Sequence, residues 1–173
     1  MISDMMVATL LKQGLRLNLF NSQKKSTLEA GTAYIVKEEK PDQSYKAFLE
    51  LSKQKDGLVI TRIHPHRVRK RFNITGDILW LSTIETHNTI EPTQLSKLAF
   101  IIGHFVKTNK GGAILLDGLE YLIMQNDFKT VLRFVYSVMD YISMHKAILL
   151  LPISPKILSK SQIKMLEREL DPY

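Results

Sequence analysis

Ala113-Ile-Leu-Leu-Asp117-Gly118-Leu-Glu120-Tyr-Leu-Ile123 is an apolar run stopped by an acid and a glycine. A strand buried on both faces reads as such a run, and in open α/β sheets ligands gather beyond the carboxyl ends of the strands, where Asp117 falls. The segment predicts a parallel strand ending in a Walker B-like acid. Its usual companion, a glycine-rich phosphate loop ending in Lys-Ser or Lys-Thr, occurs nowhere in the chain.

Similar short runs flank this segment on both sides. Ala33–Val36, Leu58–Thr61, Ile78–Leu81 and Ala147–Leu151 each read as a strand. Between them lie helical patterns. Pro41 suits a first turn, with Phe48, Leu49 and Leu51 on the inner face and Asp56-Gly57 as the stop. Arg67-Val-Arg69-Lys70-Arg71 reads as one or two turns. Leu95, Leu98, Ile101, Ile102 and Phe105 recur at three and four in a helix opened by Pro92. Val131, Leu132, Val135, Val138 and Ile142 mark another helix, running toward His145. Ser161 or Ser159 caps a last one through Met165, Leu166 and Leu170. Alternation of this kind predicts an α/β three-layer sandwich with a mainly parallel, five-stranded sheet. Ahead of it, Ile2, Met6, Leu10, Leu17 and Phe20 fall near helical spacing, and Asn21–Thr27 is wholly polar. The expected organisation is an N-terminal amphipathic helix and linker over residues 1–27 and a single α/β domain over residues 28–173.

At 173 residues and 45% hydrophobic, the chain is long enough for one well-buried core. Its formal charge of +7 favours acidic partners, which nucleic acid, anionic lipid and acidic protein faces all satisfy. The chain has no cysteine, which excludes disulfides, zinc thiolate sites and a cysteine nucleophile. No apolar run approaches the roughly 18 to 20 residues that cross a bilayer. The N-terminal apolar residues are interrupted by Lys12 and Arg16 with no cleavage site after them, so the expected location is the cytoplasm.

Five blocks in order carry a family resemblance: Gly31-Thr-Ala-Tyr-Ile-Val-Lys-Glu-Glu-Lys-Pro41, Thr61-Arg-Ile-His-Pro65, Ile78-Leu-Trp-Leu81, Ile90-Glu-Pro92 and Leu115-Leu-Asp-Gly-Leu-Glu-Tyr-Leu122. Over residues 28–170 the chain resembles the archaeal family of domain of unknown function 835. That family brings no established activity. Many of its members look tethered to membranes by N-terminal hydrophobic helices, which here correspond only to the weaker stripe from Ile2 to Phe20. A further likeness, to RecA and KaiC-type ATPase cores, rests on strand order and on the Asp117 block, and it implies a degenerate RecA-like sheet.

In a RecA-like domain the turn after the first strand must bring backbone N–H groups around phosphates, which calls for glycines. Here that turn is Lys37-Glu38-Glu39-Lys40-Pro41-Asp42-Gln43-Ser44, with three acids, a proline and no glycine. It is expected to repel a triphosphate. Asp117 and Glu120 are candidate metal ligands, joined by Glu38 and Glu39 if these converge at one sheet edge. The preferred reading is that Asp117 caps the next helix and Gly118 supplies a tight turn. Arg62, His64, His66, Arg67, Arg69, Lys70 and Arg71 form a candidate anion- or nucleic-acid-binding set, with the two histidines alternatively fixing a His-Pro turn. Trp80, inside an apolar strand, is expected in the core. Ser82 follows the third strand where a receiver-type phosphoacceptor aspartate would stand. His87 has no serine in a nucleophile-elbow context, so no catalytic residue is assigned.

The expected function is a non-catalytic cytoplasmic interaction or regulatory module, without a cofactor, that forms a homodimer or docks a protein partner. Its self-association residues are Ile2, Met6, Leu10, Leu17 and Phe20, too short and interrupted a stripe to span a membrane but suited to peripheral contact with one. One alternative is a nucleic-acid-binding protein using Arg67 to Arg71. The other is a nucleotide- or metal-dependent enzyme with a non-standard site.

Overall fold

The five apolar runs form strands in the computed structural model, which describes residues 28–173. In chain order the elements are β1 (Thr32–Lys37), α1 (Asp42–Ser52), β2 (Gly57–Thr61), α2 (Pro65–Phe72), β3 (Asp77–Leu81) and β4 (Thr89–Ile90). They continue with α3 (Leu95–Thr108), β5 (Ala113–Asp117), α4 (Leu119–Gln125), α5 (Phe128–Met144), β6 (Ile148–Ile153), α6 (Lys160–Glu167) and β7 (Asp171–Pro172). The helix and self-association stripe expected over Ile2, Met6, Leu10, Leu17 and Phe20 lie outside the described residues.

The sheet has seven strands, all parallel, in the order β4-β3-β2-β5-β6-β1-β7. The expected five-stranded sheet is therefore corrected. The two extra strands are edge pairs of two residues each, β4 beside Trp80–Leu81 and β7 beside Tyr34–Ile35. Two residues are too few to show a period of two, so only pairing defines them.

Burial alternates along the central strands. Ala113 and Leu115 of β5 and Ile148 and Leu150 of β6 join Tyr45, Phe48 and Val68 on the face covered by α1 and α2. Ile114, Leu116, Leu149 and Leu151 join the opposite cluster with Leu98 and Ile102 of α3, Leu119 and Leu122 of α4, and Val135 and Val138 of α5. A continuous apolar run thus serves two helical layers at once. The helices that follow β1 and β2 lie on one face and those that follow β5 and β6 on the other. The connections consequently diverge between β2 and β5 and between β6 and β1, and clefts open at such switch points above the carboxyl ends of the strands.

Helix ends follow local chemistry. Ser159, not Ser161, caps α6 in a reciprocal capping box with Gln162. α2 begins at Pro65, with His64 Nδ1 accepting from the His66 N–H at 3.2 Å. It ends at Asn73, which takes the left-handed conformation (φ 55°) and donates its N–H to Arg69 O at 2.9 Å. The basic run therefore lies in an eight-residue helix of about two turns, as its sequence predicts.

Candidate functional site: an acidic cleft beside a basic groove

The carboxyl ends of β1, β2, β5 and β6 border a cleft of about 230 Å³ lined by Glu38, Glu39, Arg62, Asp117, Gly118, Glu120, Tyr121 and the Pro152–Ser154 segment, among others. Glu38, Glu39, Asp117 and Glu120 all line this cleft, against a single lining cation, Arg62. Each acid is nevertheless committed inside the protein.

Glu38 is turned onto the start of α1. Its Oε2 accepts from the Gln43 N–H at 2.8 Å and its Oε1 from the Ser44 N–H at 3.1 Å, with the Ser44 hydroxyl donating to Oε1 as well. The first N–H groups of a helix are unpaired within it and carry partial positive charge, and they would otherwise be available to a phosphate. Pro41, just before the helix, has no N–H to offer. Glu39 pairs with Lys156 at 2.7 Å on the surface. Glu120 Oε1 accepts from the Ser154 N–H at 2.6 Å, tying α4 to the chain leaving β6.

Asp117 ends β5 with its carboxylate directed at two hydroxyls. Tyr45 Oη and Thr61 Oγ1 both donate to Oδ2, at 3.0 and 3.1 Å. Burial pushes its carboxyl up to about 6, opposed by these two hydrogen bonds and reinforced by the charges of Glu120 and Glu38. Burial, and then the Asp117 charge, push the Tyr45 phenol above its ordinary value. The expectation that Asp117 caps the following helix is corrected: α4 has Gly118 at its N-cap position and no side-chain cap. Gly118 is needed for close approach rather than for a tight turn. Its φ of 165° is ordinary extended backbone, but a Cβ there would stand 2.6 Å from Leu81 Cδ1, and Leu81 is fully buried. The candidate metal ligands Asp117 and Glu120 both line the cleft, Asp117 engaged by the Tyr45 and Thr61 hydroxyls and Glu120 by the Ser154 N–H. Among the described residues no group of three or more His, Asp or Glu side chains is placed to hold a metal ion.

Beside the cleft runs an open groove of about 930 Å³, lined by Arg62, Ile63, His64, His66, Arg67, Lys70, Arg71 and Trp80. Six of the seven residues in the anion-binding set thus share one surface, with no acid in the lining. Arg67, Lys70 and Arg71 stand three and four apart on α2 and so share a side of the helix. Arg69 does not line the groove. Its Nη1 donates to Ile74 O and Gly76 O at 3.0 and 3.1 Å, fastening the C-terminal end of α2 to the loop before β3. Arg71 pairs with Asp42 at 2.7 Å and lies over the Phe72 ring, which stacks on Tyr45 at 3.7 Å between centroids.

Trp80 is not in the core. It is half-buried and lines the groove, its indole N–H donating to Arg62 O at 3.0 Å and its ring meeting His64 edge-on at 4.8 Å. Arg62 borders both cavities, its guanidinium 4.8 Å from the Tyr121 ring centroid and 6.0 Å from that of Trp80. Sequence reasoning missed the partners of Asp117, Tyr45 and Thr61, and the capping role of Glu38. Only Glu38 left a local signal, an acid four positions ahead of the first residue of α1.

Among the described residues no helix is long and apolar enough to cross a membrane. No curated protein matches the chain. A solved structure, "Structural study of Project ID PH0250 from Pyrococcus horikoshii OT3", is similar in fold, with a TM-score of 0.55 at 13% identity over 83% of this chain and 80% of that one. The family model "Protein of unknown function (DUF835)" matches residues 37–170 and so takes in most of the sheet and its helices, and the chain belongs to this family.

Proposed function

We propose that this domain is a non-catalytic, cytoplasmic interaction or regulatory module, a degenerate RecA-like sheet whose phosphate end is closed by its own chain. The observation that carries this reading is the Glu38 carboxylate on the Gln43 and Ser44 amides, where an entering phosphate would need those same donors. Four acids against one arginine around the cleft add a field that disfavours a triphosphate. The likeness to RecA and KaiC-type cores is supported by the parallel strand order and by Asp117 at the end of β5. Binding then belongs to surfaces other than the cleft, with a homodimer through the Ile2 to Phe20 stripe or a docked protein as the partners this reading expects.

Calorimetric titration of the full chain with Mg-ATP and Mg-GTP tests it. The expected result is no binding in the micromolar range. A micromolar dissociation constant, equivalent to about −8 kcal/mol, overturns the reading.

A further inference from the structure

Closing the cleft leaves the basic groove as a chemically distinctive surface to which the proposed function gives no role. Four of its lining residues are Arg or Lys and two are His, and no carboxylate stands among them. Of these cations Arg71 is paired, with Asp42 at 2.7 Å. Among the described residues Arg67 and Lys70 make no ion pair with an acid. A concave surface with this balance of charge favours a polyanion.

The groove is also built rather than loose. His64 closes the start of α2, Asn73 closes its end, and Arg69 ties that end to the Ile74 and Gly76 carbonyls. The three groove-facing cations therefore sit on a helix held at both termini. The one aromatic ring of the lining, Trp80, has its indole N–H engaged by Arg62 O, so it offers the groove π surface and no donor. Cations along one wall with an aromatic ring beside them match a strand whose phosphates and unstacked bases are both within reach. A duplex keeps its bases stacked inside and offers Trp80 nothing. A lipid surface would need the cations on a flat or convex face rather than in a trough.

We propose that the groove between α2 and the carboxyl end of β3 binds single-stranded nucleic acid, with Arg67, Lys70 and Arg71 on successive phosphates and a base against Trp80. This rests on the reading of the domain as a binding module, and it adds a nucleic-acid ligand to the protein partners that reading expects.

Trp80 is the only tryptophan of the chain, so its emission reports directly on the groove. The full-length protein is titrated at low salt with a twelve-nucleotide oligo(U), a duplex of equal length, poly-glutamate and phosphatidylserine vesicles. Oligo(U) is expected to quench Trp80 saturably, with a log–log salt slope of about −2 for three phosphate contacts at roughly 0.7 each. Arg67→Gln with Lys70→Gln should reduce the slope to about −0.7 and weaken binding at least tenfold. Lys107→Gln with Lys129→Gln, on the opposite layer, should change neither. Trp80→Ala, followed by anisotropy of a labelled oligo(U), should lose at least fivefold, as expected for one stacked base. Thermal melts separate these losses from unfolding, and because exposed α2 cations are replaced, the double variant keeps its melting temperature.

Absence of saturable quenching by oligo(U) overturns the proposal, as does duplex binding of equal strength. Stronger binding of poly-glutamate assigns the groove to an acidic protein, and stronger binding of vesicles to a membrane surface. Either result also overturns it. None of these outcomes bears on the Mg-ATP titration, so the inference and the reading beneath it fail separately.

Discussion

Replacing Asp117 by asparagine should stabilise the protein, and only above pH 4. The carboxyl is held at about 6 in the fold against an ordinary 3.8, so folding favours its neutral form. Below about pH 4 the group is neutral in both folded and unfolded chains and its burial carries no charge penalty. As pH rises through 4 to 6 the unfolded chain ionises first, and stability falls until the folded group has ionised too. By pH 8 the accumulated loss is about 3 kcal/mol. Asparagine keeps an oxygen for Tyr45 Oη and Thr61 Oγ1, which now donate to Oδ2, and removes the charge. Its amide hydrogens need acceptors, which offsets about 1 kcal/mol. The net gain at pH 8 is then about 2 kcal/mol, or about 4 to 8 °C in Tm for a domain of this size. Thermal melts of both proteins at pH 4 and pH 8 decide the matter. The reasoning is refuted if the variant is less stable at pH 8, or if the difference is the same at both pH values.

Three other outcomes follow from the same geometry. Glu38→Ala frees the amides of Gln43 and Ser44 and removes an anion from the start of α1, which should cost about 1 to 2 kcal/mol, read by denaturant unfolding. Gly118→Ala places a methyl against Leu81, which is too deeply buried to move aside, and should lower stability by about 1 to 3 kcal/mol in the same assay. A chain beginning at Leu28 should stay folded, because residues 28–173 themselves supply the seven described strands and the two described apolar clusters, and should lose self-association. Light scattering on the two chains checks it, and an unchanged oligomer removes the Ile2 to Phe20 stripe from the contact.

Strands covered on both faces are legible because their central residues are apolar without a break, as in Ile114 to Leu116 and Leu149 to Leu151. The edge pairs β4 and β7 were not, since pairing with a neighbour is their only signature. The basic run was visible, but its helical phase was not. At 100° per residue Arg69 lies about 200° around α2 from Arg67, which is why it leaves the groove that Arg67, Lys70 and Arg71 line. Trp80 misled by its apolar neighbours. It lies near the end of β3, which has β2 on its inner side but only two-residue β4 on its outer side, so its ring borders the groove instead of packing into the core. The Asp117 site depended on contacts 72 and 56 residues away in sequence, to Tyr45 and Thr61, and no local pattern encodes those. The lack of glycine in the acidic turn after β1 is plain in the sequence. That one of its acids occupies the helix end in place of a ligand emerges only from the fold.

The Glu38 carboxylate holds the donors a phosphate would need, and the amide resonances of Gln43 and Ser44 report on this contact directly. In a ¹H–¹⁵N spectrum of the full chain, Glu38→Gln should shift both resonances strongly, whereas titration of the unsubstituted protein with Mg-ATP to millimolar concentration should leave them in place. Saturable movement of the Gln43 and Ser44 amides at micromolar Mg-ATP would contradict the account, because it would show that the carboxylate yields to phosphate and that the cleft is a working nucleotide site.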